Sequence, residues 1–128
     1  MDAAEQAAGW REYLAAMPPA DRVWVIEADA GVAGFARTGP CADADAPEGA
    51  GEVHGLYVDP ARIGTGLGRR LFGHAVADLA ERHDAIVVWH FAGNDRAARF
   101  YEAAGFRLDG ARRRSGFGPE EVRRRSAR

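Results

Sequence analysis

Apolar residues recur along the chain with two periods, one typical of helices and one typical of strands. Helical spacing and helix-forming residues fill residues 3–16, which a Pro-Pro pair ends, and residues 67–82, where apolar side chains keep to one face. A third helix of nine residues begins at position 96, directly after a Gly-Asn-Asp turn. The predicted helices are therefore 3–16, 67–82 and 96–104.

Short runs of β-branched and aromatic residues lie between these helices and predict strands. The first two runs are separated by Asp29-Ala30-Gly31, which favours a hairpin, and the run over 85–91 is continuously apolar, as in a strand buried on both faces. A small, acidic, Pro/Gly-rich stretch over 39–51 predicts a long surface loop. The order α-β-β-β-α-β-α-β-β predicts an α/β sheet with helices on its faces. The predicted strands are 23–27, 32–38, 52–58, 85–91, 106–113 and 121–126.

Length and composition narrow the class of protein. A chain of 128 residues that is 47% hydrophobic fits a single globular domain over residues 1–128, with no bulk disorder. No apolar run is long enough to span a membrane, and the N-terminus has no signal-peptide pattern, so a cytoplasmic location is expected. The single cysteine, Cys41, excludes an internal disulfide and has no histidine nearby in sequence, so we expect no covalent role for it.

Charge is distributed unevenly along the chain. All 17 basic residues are arginine, which excludes chemistry that needs a lysine. Residues 1–53 carry 10 acids and 3 arginines, whereas residues 107–128 carry 3 acids and 8 arginines. The arginine runs at 112–114 and 123–125 could bind nucleic acid, but no aromatic platform accompanies them and strand alternation would expose them on one face. We therefore expect no nucleic-acid partner.

A glycine-rich segment follows the strand over 52–58. Gly64, Gly66 and Gly68 precede the second helix, and glycines let backbone N–H groups approach a ligand at a helix N-terminus, where anions are favoured. A Walker loop is excluded because no Gly-Lys-Ser/Thr follows, and G-x-G-x-G differs from the dinucleotide fingerprint G-x-G-x-x-G. A different pyrophosphate cradle and an ordinary glycine turn both stay open on this segment alone.

A second motif begins at Asn94 and ends at Phe106. Asn94 is typical of a helix N-cap, and Gly105 stands where a left-handed C-cap belongs. Taken alone, the segment is a capped short helix whose Phe100 and Tyr101 would be core residues.

Together, the two segments resemble the GCN5-related N-acetyltransferase (GNAT) family. The strand-Pro-x-x-x-G-x-G-x-G-x-x-L unit is similar to the family's acetyl-CoA motif, and Asn-x-x-Ala-x-x-Phe-Tyr-Glu-x-x-Gly-Phe is similar to the motif that follows it. Their order and the strand between them also match. The resemblance implies a mixed, mostly antiparallel sheet flanked by helices and direct transfer of the acetyl group of acetyl-CoA to an amine in a ternary complex. The acceptor would be a small amine or a peptide or protein N-terminus, and the acidic loop hints at a cationic one.

Two features depart from the family pattern. Ile63 stands where the family's loop usually has Gln or Arg, and Arg62 lies one residue earlier. The family domain also normally begins with a strand and helix ahead of the helix over 3–16, so we expect either that the first strand is missing or that residues upstream of Met1 are missing from this sequence. A non-catalytic acyl-CoA-binding module is the alternative function, and an exposed sheet edge would allow a homodimer.

The resemblance also assigns candidate catalytic roles. Tyr101 occupies the position of a frequent general acid, and a phenol is protonated at neutral pH. For the base, Glu52 is the first candidate and His54, with its better intrinsic pKa, the second. Regular strand alternation would place Glu52, His54, Leu56 and Val58 on one face.

The resemblance further implies which residues bind acetyl-CoA. The backbone over 56–58 would pair with the pantetheine arm, the loop over 63–69 would hold the pyrophosphate, and Asn94 would cap its helix and help to position the cofactor. No cluster has metal-ligand spacing, so no metal is expected. The predicted cofactor-binding residues are Leu56, Tyr57, Val58, Ile63, Gly64, Thr65, Gly66, Leu67, Gly68, Arg69, Asn94 and Tyr101.

Overall fold

The computed structural model describes residues 13–28 and 31–126. In this part of the chain six strands form one sheet in the order β1-β2-β3-β4-β6-β5, which leaves β1 and β5 at the edges. Neighbouring strands are antiparallel except for the parallel pair β3 and β4. The elements are β1 (Arg22–Ala28), β2 (Gly31–Pro40), β3 (Gly51–Val58), a 3-10 helix (Pro60–Arg62), α1 (Leu67–Ala80), β4 (Ile86–Phe91), α2 (Asp95–Ala103), β5 (Phe106–Arg114) and β6 (Glu120–Ser126).

The mixed, mostly antiparallel sheet and the order of its elements confirm the predicted fold. Residues 13–16 are helical, whereas the rest of the helix predicted over 3–16 and the hairpin tip at 29 and 30 lie outside the described residues. No helix in the described ranges combines the length and the apolar character needed to cross a bilayer. The homodimer expected from an exposed edge stays a prediction.

Both helices pack on the same face of the sheet, which we call the helix face. Leu79 of α1 is fully buried against Val88 of β4, and Phe72 packs edge-on against Phe106. A smaller cluster joins α1 to the first strands through Leu71 and Ala36. Burying these side chains is the main favourable term in folding, and it fixes where α1 and α2 begin relative to the strands.

A β-bulge interrupts β3 and changes which side chains share a face. The register with β2 pairs Arg37 with Gly55 and Thr38 with Val53, so His54 is an extra residue without a partner. Val53 and Leu56 consequently both pack toward the helices, although they are three positions apart. The prediction that Glu52, His54, Leu56 and Val58 share one face is therefore wrong, because a bulge reverses the alternation.

The opposite face of the sheet, which we call the second face, carries a charged network. Arg123 of β6 is buried and donates hydrogen bonds to Asp109 of β5 and to Asp43 and Asp45 of the loop after β2. Trp89 lies beside this guanidinium and donates to Asp43. Hydrogen bonds from side chains of the sheet thus fix the position of the predicted surface loop.

The C-terminal arginines also differ from the prediction. Arg123 and Arg124 are both buried, on opposite faces, because successive side chains of a strand alternate. Arg112 and Arg113 pair across the hairpin with Glu120 and Glu121. Strand alternation therefore does not present a continuous arginine surface, and much of this charge is used within the fold.

Candidate active site

Strands β3 and β4 separate beyond their first three residue pairs. Their parallel register covers only Gly51–Val53 and Ile86–Val88, and no pairing between them follows in the described chain. Each strand keeps its other neighbour, β2 or β6. A wedge-shaped gap therefore opens in the middle of the sheet, with backbone groups of β3 along one side.

The backbone of β3 alternates between β2 and this gap. Asp59 donates its N–H to Ala33 of the neighbouring strand, so by alternation Tyr57 also points its backbone groups at β2. The carbonyl oxygen of Tyr57 does lie close to β2, only 2.6 Å from where a Cβ on Gly34 would be. Leu56 and Val58 thus direct their N–H and C=O groups into the gap.

The glycine loop ends at the N-terminus of α1 beside the same gap. Gly64 and Gly66 have φ values of 87° and 89°, a left-handed conformation that other residues adopt at a cost. Gly66 is the N-cap and has no side chain to satisfy the first N–H groups of α1. A Cβ on Gly68 would lie 3.3 Å from Val58, so this glycine keeps the passage between strand and helix open.

A cleft of about 510 Å³ connects the glycine loop to α2. It is lined by most of the predicted cofactor-binding residues, but Leu67, Asn94 and Tyr57 are not among its lining residues. The two predicted base residues, Glu52 and His54, do not line it either. Asn94 instead accepts a hydrogen bond from Ala97 N, which confirms the predicted helix cap. The cleft is lined by Leu56, Val58, Arg62, Ile63, Gly64, Thr65, Gly66, Gly68, Arg69, Arg96, Ala97, Phe100 and Tyr101.

Tyr101 lies at the inner end of this cleft, with 9% of its surface exposed. Its ring packs against Phe72 and Phe100. Burial raises the pKa of the Tyr101 phenol above its ordinary value, because the phenolate would lose hydration. The phenol is therefore held in its neutral, protonated form.

Hydrogen-bonded polar side chains of β4 and β6 contact Tyr101 and the residue next to it. The His90 ring stacks on Tyr101 with 5.8 Å between ring centroids. Arg124 Nε donates to His90 Nε2 at 2.9 Å, so the proton of the ring is on Nδ1, which donates to the carbonyl of Phe91. Arg124 also binds Glu102, the residue next to Tyr101. His90 is thus a buried and satisfied histidine that orients its neighbour.

Glu52 and His54 meet on the second face, at the closed end of the gap. His54 Nδ1 lies 3.2 Å from Glu52 Oε2, and a Cβ on Gly39 would be 3.3 Å from His54 Nε2. The hydrogen bond to Glu52 raises the pKa of His54, and burial lowers it by less. The Glu52 carboxylate is 9% exposed and the His54 side chain 25%, so the carboxylate lies behind the imidazole.

Cys41 joins this group, which the sequence did not indicate. Possible ligand atoms of Cys41, Asp43 and Glu52 lie within 4.8 Å of one another. Burial raises the pKa of the Cys41 thiol to about 12, so the thiolate that a metal requires is disfavoured. Asp43 is already bound by Trp89 and Arg123. These contacts explain the cluster as hydrogen bonding within the fold.

Several cleft residues were not predicted. Arg96 and Phe100 reach the cleft from α2. They are four positions apart, which places them on one face of the helix, and this spacing was the only signal that the sequence offered for them. The hydrogen bond between His90 and Arg124 joins β4 to β6, and no local pattern in the sequence predicts it.

Comparison with known proteins identifies the family. A model of the acetyltransferase (GNAT) domain matches residues 19–108, more than half of the chain. The chain therefore belongs to the GNAT acetyltransferase family. This result agrees with the separated strands and with the glycine loop at the start of α1.

The proteins that this chain resembles differ in their sequence identity to it and in how much of each chain is covered. The mycothiol acetyltransferase of Kineococcus radiotolerans is 42% identical over 59 residues, which is 46% of this chain and 20% of that protein. The solved structure of the ribosomal-protein-S18-alanine N-acetyltransferase from Escherichia coli superposes with a TM-score of 0.73 at 19% identity, covering 98% of this chain and 89% of the other. A NatC complex bound to Gag peptide and CoA gives 0.70 at 18% identity, covering 93% and 77%. The chain spans only about a fifth of the curated relative's length.

Proposed function

We propose that the protein is an acetyltransferase that moves the acetyl group of acetyl-CoA directly to an amine. The observation that carries the proposal is the gap between β3 and β4, which opens beside an uncapped helix N-terminus and contains a buried tyrosine. Backbone donors, a helix dipole and a proton donor are the groups that a phosphorylated thioester substrate requires. The family's relatives with acetyltransferase names support the same reaction.

The residues of the cleft fit coenzyme A. The N–H groups at the start of α1 and the left-handed Gly64 and Gly66 would hold the pyrophosphate. Leu56 and Val58 would pair through their backbones with the amides of the pantetheine arm, like one further strand in the gap. One of these N–H groups would donate to the thioester carbonyl as negative charge develops there.

Tyr101 is the proposed general acid. Its position in the cleft lets the phenol donate a proton to the thiolate that leaves when the amine attacks the thioester. The raised pKa keeps that proton available at neutral pH. His90 and Arg124 would keep the ring oriented and would not exchange protons with the substrate.

His54 is the proposed base, with Glu52 positioning it. This assignment reverses the order expected from the sequence, because Glu52 is the more deeply buried of the two and its carboxylate is engaged by His54. The imidazole is nearer to solvent on the second face, from which an amine would reach the closed end of the gap. A raised pKa makes His54 a stronger base for removing a proton from an ammonium group.

The acceptor is proposed only as a class, a small amine or a peptide N-terminus. Solved structures of similar fold include a protein named as a ribosomal-protein-S18-alanine N-acetyltransferase and a NatC complex bound to a Gag peptide. The loop acids suggested a cationic acceptor, but Asp43 and Asp45 already bind Arg123. These two carboxylates therefore do not favour a cationic acceptor.

The test is release of coenzyme A thiol from acetyl-CoA in the presence of a panel of amines. Tyr101→Phe should lower kcat by about 10²-fold or more, as loss of a general acid does, without preventing acetyl-CoA binding. Tyr13→Phe removes a phenol from an exposed residue outside the cleft and should leave kcat close to wild type.

Two results would contradict the proposal. Acetyl-CoA binding with no thiol release for any amine, and with no effect of Tyr101→Phe, would identify an acyl-CoA-binding module. Absence of binding in a thermal-shift titration would exclude the cofactor altogether.

A further inference from the structure

An apolar row crosses the second face of the sheet and ends at the gap. The strand registers place Val25 of β1 opposite Phe35 of β2, and Phe35 opposite Tyr57 of β3. Leu56 packs toward the helices, so strand alternation directs the Tyr57 side chain to the second face. The rings of Phe35 and Tyr57 pack with 5.6 Å between their centroids, yet Val25 and Tyr57 are about half exposed. Adjoining exposed apolar side chains are typical of a surface that binds another molecule.

Gly55 leaves an open space on this face between Tyr57 and the proposed base. It directly follows His54 and lies two positions before Tyr57, so alternation points its missing side chain to the second face. A Cβ built on Gly55 would meet no atom of the described residues within 4 Å. Gly55 does not have a positive φ, so its backbone conformation does not require a glycine. The absence of a side chain therefore leaves room for a ligand beside His54.

This space borders the gap that would hold the thioester. Tyr57 lies between the two residues of β3 whose backbone groups point into the gap. On β4, Phe91 is two positions beyond Trp89, so alternation places it on the second face as well, and it is about half exposed. Apolar side chains thus stand on both strands that border the gap, toward its open end from His54.

The charges near this space favour an acceptor with a single cationic group. Glu52 is engaged by His54, and Asp21 accepts two hydrogen bonds from the guanidinium of Arg37, at 2.6 and 2.8 Å. Arg37 is also the partner of Gly55 in the register with β2. A second ammonium group on the acceptor would therefore lie near a guanidinium and near carboxylates that already have partners, which is unfavourable.

We propose that the acceptor is an amine with an apolar or aromatic substituent, which binds on the second face with its nitrogen toward His54, its adjoining atoms above Gly55 and its substituent against Tyr57. The inference rests on the proposed function and narrows the acceptor class that was left open there. Contact with the substituent would remove the exposed Tyr57 ring from water, which favours a large apolar group over a hydrogen atom at that position.

The experiment measures thiol release from acetyl-CoA with phenylalaninamide and with glycinamide, which differ only in a benzyl group. We expect kcat/KM of the wild type to be about tenfold higher for phenylalaninamide, as for one aromatic contact. In Tyr57→Ala this ratio should fall below about threefold, through a higher KM for phenylalaninamide and with little change for glycinamide.

Gly55→Val tests the open space. A β-branched residue suits a strand, but its side chain would fill the space, so kcat/KM for phenylalaninamide should fall about tenfold or more. Neither Gly55 nor Tyr57 lines the cleft proposed for coenzyme A, so an unchanged calorimetric Kd for coenzyme A will confirm that both variants fold. Leu108→Ala is the matched control, because it truncates an exposed apolar side chain of β5, at the far edge of the sheet, and should leave the ratio unchanged.

The outcomes separate this inference from the proposed function. Equal kcat/KM for the two amides, or thiol release with other amines but with neither amide, would overturn the acceptor class and leave the proposed function intact. A preference for phenylalaninamide that persists in both Tyr57→Ala and Gly55→Val, or that Leu108→Ala removes equally, would overturn the assigned place of binding. Absence of thiol release with every amine of the panel would overturn the proposed function and this inference together.

Discussion

Replacing Arg123 by methionine removes the guanidinium on which three carboxylates converge. Arg123 is 5% exposed, and its Nε and Nη1 atoms lie 2.6 Å from Asp109, 2.7 Å from Asp45 and 3.2 Å from Asp43. Burial disfavours the charged guanidinium, but the three hydrogen-bonded carboxylates raise the pKa of Arg123 above its ordinary value. Without this cation, Asp43 and Asp109 would be left half-buried and close to each other.

The magnitude follows from the exposure of each partner. Asp109 and Asp43 are 14% and 19% exposed, so losing their partner should cost toward the lower end of the roughly 3–5 kcal/mol typical of a broken buried pair. Asp45 is 68% exposed and adds less than about 1 kcal/mol. We expect the free energy of unfolding to fall by about 3–4 kcal/mol, which corresponds to roughly 10–15 °C in Tm.

Urea unfolding at pH 7, followed by circular dichroism, measures this change. Arg107→Met is the control, because Arg107 is an exposed residue of β5 and takes part in none of the ion pairs among the described residues. Arg123→Lys keeps a charge but loses the planar fork, so it should be intermediate. A loss below about 1 kcal/mol, or one that Arg107→Met equals, would refute the reasoning, because the carboxylates would then need no partner.

Three further changes test the core, the glycine loop and the base. Leu79→Ala should lower the free energy of unfolding by about 2–5 kcal/mol in a urea titration, because Leu79 is fully buried. A smaller loss would mean that neighbouring side chains fill the cavity that the substitution leaves. Gly66→Ala should lower it by about 1–2 kcal/mol and weaken coenzyme A binding in calorimetry, since its φ is 89°, whereas Gly73→Ala, in an unstrained helical position, should stabilise. Glu52→Gln should lower the pKa of His54 in an NMR titration and shift the rise of kcat to lower pH. Because the pKa of His54 is raised in the wild type, the Glu52–His54 pair stabilises the fold fully below about pH 6.5 and loses this effect as pH rises through the folded-state pKa. The stability deficit of the variant should therefore be greatest in acid. A deficit that does not depend on pH would contradict the pairing.

Local signals explain what the sequence could predict. The glycine loop, the Asn94 cap and Tyr101 belong to two short segments, so their spacing alone placed them at the start of one helix and inside another. The strands were found because their apolar runs are short and bounded by turns. None of these features depends on which strands become neighbours.

Features that depend on pairing between distant strands could not be predicted. The bulge at His54 is defined by the register with β2, and it places Leu56 and Glu52 on opposite faces, although the sequence predicted that they share one. The burial of Arg123 depends on acids of a loop that is about 80 residues away, so a run of three arginines looked exposed. Cys41 reaches Glu52 for the same reason.

The short register between β3 and β4 has a mechanical consequence. The sheet consists of two three-stranded halves that are joined edge to edge by three residue pairs and bridged by α1. Such a joint is a natural hinge, and a ligand that hydrogen-bonds to the strand edges in the gap would fasten the halves together. Amide hydrogen exchange at Leu56 and Val58 should therefore slow when the cofactor binds. Exchange should also slow at the three residue pairs between β3 and β4, which join the two halves of the sheet when no ligand is bound.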